Sequence, residues 1–252
     1  TVKTFMKIPD IEEFLKAGVH FGHKTSKWHP VMEPYIFAER KGIHIIDLHK
    51  TRIELEKAVN FIHKVVSEQG KILFIGTKKQ AQEKIMLAAQ KTGMPFVTVK
   101  WISGTLTNWP IVKKQILKLK KRREEKEKNE WVKYTKKEQL LLENSLKTLE
   151  KFYGGISSLD RLPEALFITD CKVSKTAIAE AHLKNIPIIA LCDTNVDVRK
   201  IDYPIPANDD AVKALEIIIN TVSDAILDGQ NSEKKEVKAE TDSTTPATVT
   251  ES

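Results

Sequence analysis

Three histidines, two lysines and two aromatic rings stand within the stretch His20-Phe21-Gly22-His23-Lys24-Thr25-Ser26-Lys27-Trp28-His29-Pro30. Imidazoles ligate metals and shuttle protons, whereas lysines beside planar rings neutralise phosphate and stack on exposed bases. As a metal site, His20 and His23 would share one helical face and take Asp193 or Asp209 from a strand or loop end, suiting zinc or magnesium. The pair has no neighbouring Glu to act as a general base, unlike the metalloprotease helix. As a catalytic site it lacks parts. No serine lies in a nucleophile elbow, and neither Cys171 nor Cys192 sits in a motif that would lower its pKa. Both cysteines are expected as buried, reduced thiols. As a cationic surface, Lys24, Lys27, Trp28 and His29 form a phosphate-gripping and base-stacking set.

The rest of the chain favours the cationic reading. Lys100-Trp101-Ile102-Ser103-Gly104-Thr105-Leu106-Thr107-Asn108-Trp109 repeats the mixture of cation and indole, and Lys113, Lys114, Lys118, Lys121, Arg122 and Arg123 extend it as a stripe. Between Lys113 and Lys137 twelve Lys or Arg oppose four Glu, a local excess of +8 against +7 for the whole chain. From Asp228 to Ser252 six acids oppose three lysines. Clustered positive charge points to a polyanionic partner. No apolar run approaches the roughly 20 residues of a membrane span. The opening Thr1–Lys7 has no hydrophobic signal core, so the expectation is a soluble cytoplasmic protein with neither membrane nor small-molecule partner.

Positioning these groups requires a scaffold. Ile11–Ala17 has helical spacing and Gly18 stops it, so the histidine run reads as an extended loop after a short helix. Pro34–Ala38 and Ile43–Asp47 read as strands about a Lys41-Gly42 turn. Thr51 and Glu54 form a capping-box pattern for the next helix, which Gly70 ends. Lys71–Ile75, Phe96–Val99, Ala165–Thr169 and Ile186–Leu191 are apolar on both faces and alternate with amphipathic helices. That pattern predicts a doubly wound α/β fold, a Rossmann-like or flavodoxin-like parallel sheet with helices on both faces. The sheet domain spans 1–107 and 154–229. Residues 108–153 break the alternation with a second capping box at Thr135–Glu138. Leu142, Leu146, Leu149 and Tyr153 then form a coiled-coil seam, predicting an inserted antiparallel helical hairpin. A last helix runs from near Asn208 to Gly229, and 230–252 has the composition of a disordered tail.

A sheet of this kind admits one competing function, a nucleotide-dependent enzyme using the Gly76-Thr77-Lys78-Lys79 turn after the Lys71–Ile75 strand. The turn has neither glycine-rich phosphate motif, and a single glycine there is ordinary punctuation.

Five blocks, Ala17–His23, Ile43–Leu48, Ile75–Lys78, Gly104–Trp109 and Ile205–Asp210, stand in an order that resembles the ribosomal protein S2 family of bacterial and organellar small subunits. The resemblance covers about residues 8–228. It implies a non-catalytic structural constituent of the small ribosomal subunit, without cofactor. Its implied partners are small-subunit rRNA and neighbouring ribosomal proteins, including the large protein S1, and its implied source is bacterial or plastid. Carried over from the family's hairpin and first loop, Lys24, Thr25, Lys27, Trp28, Asn108, Trp109, Lys113 and Lys114 are the implied contacts. Ser103 and Thr105 depart from the Gly and Met that many relatives carry at the turn leading to Trp109.

Overall fold

The alternation of side chains along each strand decides which helix it meets, and here both faces are apolar. The computed structural model describes residues 8–242, with side chains to 232. Five parallel strands, β4 (Ile72–Ile75), β5 (Phe96–Val97), β6 (Ala165–Ile168), β7 (Ile188–Cys192) and β8 (Tyr203–Pro206), pair in the order β5-β4-β6-β7-β8. Counted along the chain this is 2-1-3-4-5, the flavodoxin-like order, with its switch point between β4 and β6. Ile72, Phe74, Phe167, Ile189 and Leu191 face one core, shared with α1 (Ile11–Ala17), α2 (Leu48–Ser67), α3 (Lys79–Thr92) and α7 (Val212–Asp242). Leu73, Ile75, Leu166, Ile168, Ile188 and Ala190 face the other, beneath α6 (Lys175–Leu183) and the start of α4 (Trp109–Glu127). The expected fold class is what the chain adopts.

β8 escaped the sequence reading because Tyr203-Pro204-Ile205-Pro206 carries two prolines. Proline lacks the N–H a central strand needs but is tolerated on an edge, which is where β8 lies. The expected capping box at Thr51 is corrected. Asp47 caps α2, its carboxylate accepting from the His49 N–H at 2.9 Å, so the helix starts earlier. Thr51 lies inside the helix, where its hydroxyl donates to the Pro206 carbonyl at 2.6 Å, and Glu54 pairs with Lys57 instead. The helix also stops at Ser67 rather than running to Gly70. At the other end, α7 continues through Asp242, into the stretch expected as a tail; helix-forming Glu, Lys and Ala dominate there. Residues 243–252 of that stretch lie outside the described residues.

The histidine run is not an irregular loop. β1 (Phe21–Lys24) pairs with β3 (Ile43–Ile46), which pairs with β2 (Ile36–Arg40), making a small antiparallel sheet. Its tight connection uses Lys41 and Gly42, both at positive φ. This sheet is locked to the end of β7. The His23 N–H donates to Thr194 Oγ1 at 2.9 Å, and the His29 N–H to the Thr194 carbonyl at 2.8 Å. A Cβ on Gly22 would lie 2.5 Å from Thr194 Cγ2, so only glycine admits this contact.

The hairpin is built as expected. α4 and α5 (Lys136–Tyr153) are joined by a turn in which Asn129 is left-handed. Thr135 and Glu138 satisfy one another's backbone N–H groups as a capping box. Leu119, Leu146, Leu149 and the buried Trp131 form a core of their own, with Leu142 and Tyr153 packed against it.

Candidate nucleic-acid interface

Three groups of residues converge on the hairpin base and the first sheet. In the first, Lys24 and Lys27 are exposed at the end of β1 and in the 3-10 turn Thr25–Lys27, whose start is fixed by a bond from the Thr25 N–H to the Gly42 carbonyl. Trp28 is half-buried, its ring 5.1 Å from the His44 ring, centroid to centroid. His29 Nδ1 accepts from the Val31 N–H at 3.4 Å, which fixes this ring over the next turn.

The second group is the hinge. Lys100 and Asn108 are exposed, and Trp109 is half-buried against the second core. Trp101 is buried and is not a base-stacking ring. Its indole N–H donates to Glu180 Oε1 at 3.0 Å, while the backbone N–H groups of Gly104, Leu106 and Thr107 point at the same carboxylate from 2.8, 2.9 and 3.2 Å. Burial alone would raise the pKa of Glu180; the indole and backbone donors outweigh it and hold the carboxylate below its usual range. The 104–109 turn is thus a nest closed around an anion from α6. Gly104 alone in it has positive φ, so Ser103 fits without strain, and Thr105 uses its hydroxyl to bond the Ile102 carbonyl at 2.6 Å.

The third group is the stripe. Helical spacing puts Lys114, Lys118 and Lys121 on one line, opposite the buried Val112, Ile116 and Leu119. Lys113, Lys114 and Lys118 are exposed and make no ion pair among the described residues. Lys121 and Arg122 are different. Both approach Glu125, at 4.0 and 3.2 Å, and Arg123 pairs with Glu150 of α5 at 3.2 Å. Their charges are partly answered within the hairpin.

The metal candidates divide. His20 and His23 do not share a helical face, because they lie at and beside a strand. His20 packs 4.0 Å from the Phe21 ring, and burial lowers its pKa. His23, Asp193 and Asp209 do offer ligand atoms within 4.8 Å of one another. Sequence reasoning missed the cation that holds one of them, Asp209. Lys78 Nζ lies 2.8 Å from Asp170, 3.0 Å from Asp209 and 2.8 Å from Asp210, while His23 Nδ1 lies 3.0 Å from Asp193. Burial alone would lower the pKa of Lys78, but hydrogen bonds to Asp170 and Asp210 more than reverse it. Burial and the Asp193 charge raise Asp209 to about 7. The hydrogen bond to Asp193 raises His23. The available signal was positional: each acid follows the carboxyl end of β6, β7 or β8.

This cluster fills the crevice at the switch point where an α/β sheet would seat a nucleotide. Gly76 serves packing there, since a Cβ would lie 2.6 Å from Ile85 Cγ1 and 3.1 Å from Thr169 Oγ1. An ammonium group held by carboxylates cannot also cradle a phosphate.

A model of the family described as Ribosomal protein S2 matches residues 14–229. The match runs through both halves of the sheet domain and the whole hairpin. Among the described residues, no helix is long and apolar enough to cross a membrane. With its flavodoxin-like platform, basic hairpin and matched span, the chain belongs to the ribosomal protein S2 family, whose role is structural, in the small subunit of the translating ribosome.

Proposed function

We propose that within this structural role the chain grips folded rRNA through the hairpin base and the first sheet, using the sheet domain as a rigid platform. The carrying observation is the unpaired, exposed set Lys113, Lys114 and Lys118, standing beside Asn108 and Trp109 on a hinge that Glu180 clamps. In this reading Lys24, Lys27, Trp28 and Lys100 are further contacts; Thr25 shapes the turn that carries Lys27, and Lys121 and Arg122 contribute as partly neutralised charges. Phosphate contacts of this kind fix register, while the half-buried indoles of Trp28 and Trp109 would stack on unpaired bases. Neighbouring small-subunit proteins, the large protein S1 among them, would dock on the remaining faces, in the cytoplasm of a bacterium or in a plastid.

The reading needs no resident cofactor. A zinc or magnesium ion at His23, Asp193 and Asp209 would have to take the place of Lys78.

Replacing Lys113, Lys114 and Lys118 together with Gln tests the reading. Affinity for small-subunit particles lacking this protein should fall. The slope of log affinity against log salt should also flatten by about 0.7–0.9 for each phosphate that is no longer neutralised. An unchanged affinity and slope would remove the hairpin from the RNA surface.

A further inference from the structure

A cavity of about 740 Å³ opens between α6 and the loop after β7, bordered on one side by His29. Its volume lies within the range of small-ligand sites, about 300–1,000 Å³. Lys175, Ile178, Ala179 and His182 line it along one face of α6, with Lys172 in the turn before that helix and Val196 opposite. The floor is apolar and the rim is cationic. Lys172, Lys175 and Lys200 come from three different segments, and among the described residues none of them is ion-paired. The one acid on the rim, Asp197, is already held by Arg199, whose Nε and terminal nitrogen lie 2.9 and 2.7 Å from its two oxygens. Asn195 is a further wall residue.

An apolar slot ringed by three uncompensated cations fits a nucleotide: a flat heterocycle joined to a phosphate. We propose that this cavity seats one unpaired nucleotide of rRNA, its base against Ile178, Ala179 and Val196 and its phosphates against Lys172, Lys175 and Lys200. The site rests on the RNA-binding reading above and deepens it, because His29 belongs to both the first basic turn and the cavity wall. Continuity with that basic turn, through His29, favours RNA over an acidic peptide.

The test titrates the full-length protein with adenosine and guanosine monophosphate and follows amide shifts by NMR. Saturable shifts are expected at Asn195, Ala179 and His182. Lys175→Gln combined with Lys200→Gln should weaken that binding on the order of tenfold. Ala179→Trp, at an exposed position, should fill the slot and abolish it while keeping every charge. The hairpin triple-Gln protein should bind the mononucleotides normally. Inorganic phosphate shifting the same residues at equal concentration would overturn the proposal, as would an acidic leucine-containing peptide binding there more tightly than either nucleotide. Absent mononucleotide binding with salt-dependent subunit association intact would remove this pocket and leave the RNA reading standing. Salt-independent association of the unaltered protein would instead overturn that reading itself.

Discussion

At the scale of single residues, the group around Lys78 is unbalanced. Asp170, Asp209 and Asp210 face one ammonium while Asp193 faces His23, so the protonation of His23 and Asp209 sets how well the cluster closes. Both pKa values are raised on folding, His23 by its bond to Asp193 and Asp209 to about 7 by burial and the charge of Asp193. A raised folded-state pKa gives stability that is present below the unfolded value and lost as pH rises through the folded one. Melting temperature should therefore fall between pH 6 and pH 8. Asp209→Asn should flatten that fall and raise the pH 8 melting point by roughly 2–8 °C, the equivalent of about 1–2 kcal/mol in a protein of this size. An identical pH slope in the variant would exclude Asp209 as its source. None of this was legible in the sequence beyond His23 and its acids as separate letters. Lys78 sits 132 positions from Asp210 and gives no local sign of its partner.

At the scale of elements, legibility follows the range of the interaction. The capping box at Thr135, the leucine seam and the Gly18 stop are written in residues close together in the chain, and all are found. Thr51 reads as a cap by the same local rule, yet its hydroxyl serves a carbonyl 155 residues away. The hinge shows the same limit: indole and lysine side by side suggested a base-stacking surface, whereas Trp101 is turned inward to Glu180, 79 residues on. Glu180 accepts from the turn that leads into the hairpin. Its replacement by Gln turns an N–H₂ group toward donors that need an acceptor, at a cost of about 2–3 kcal/mol. The melting point of Glu180→Gln should drop by roughly 4–12 °C, and hydrogen exchange should rise at Gly104, Leu106 and Thr107. If those amides stay protected, the turn holds itself and the carboxylate is incidental.

At the scale of the whole molecule, two of the three cores share one sheet, and the third belongs to the hairpin alone. The outer hairpin should consequently open without the rest. Trp131→Ala empties the hairpin core and should speed amide exchange across the facing parts of α4 and α5, leaving β4, β6 and β7 protected; faster exchange in those strands would mean one cooperative unit instead. The fold class was readable because buried parallel strands announce themselves by composition. The edge strand with two prolines and the extension of α7 were not, since each depends on what lies beside it. The first sheet depends on distance in another sense. Val19, Gly22, His23 and His29 take their places against Thr194 and Asn208, residues joined to the chain only near its end. Synthesis runs from the N-terminal side to the C-terminal side, so residues 19–29 are made well before the residues they pack against. A chain cut short before Thr194 lacks the hydroxyl and the carbonyl to which His23 and His29 donate, so the clasp on the first sheet closes only after that residue has been added.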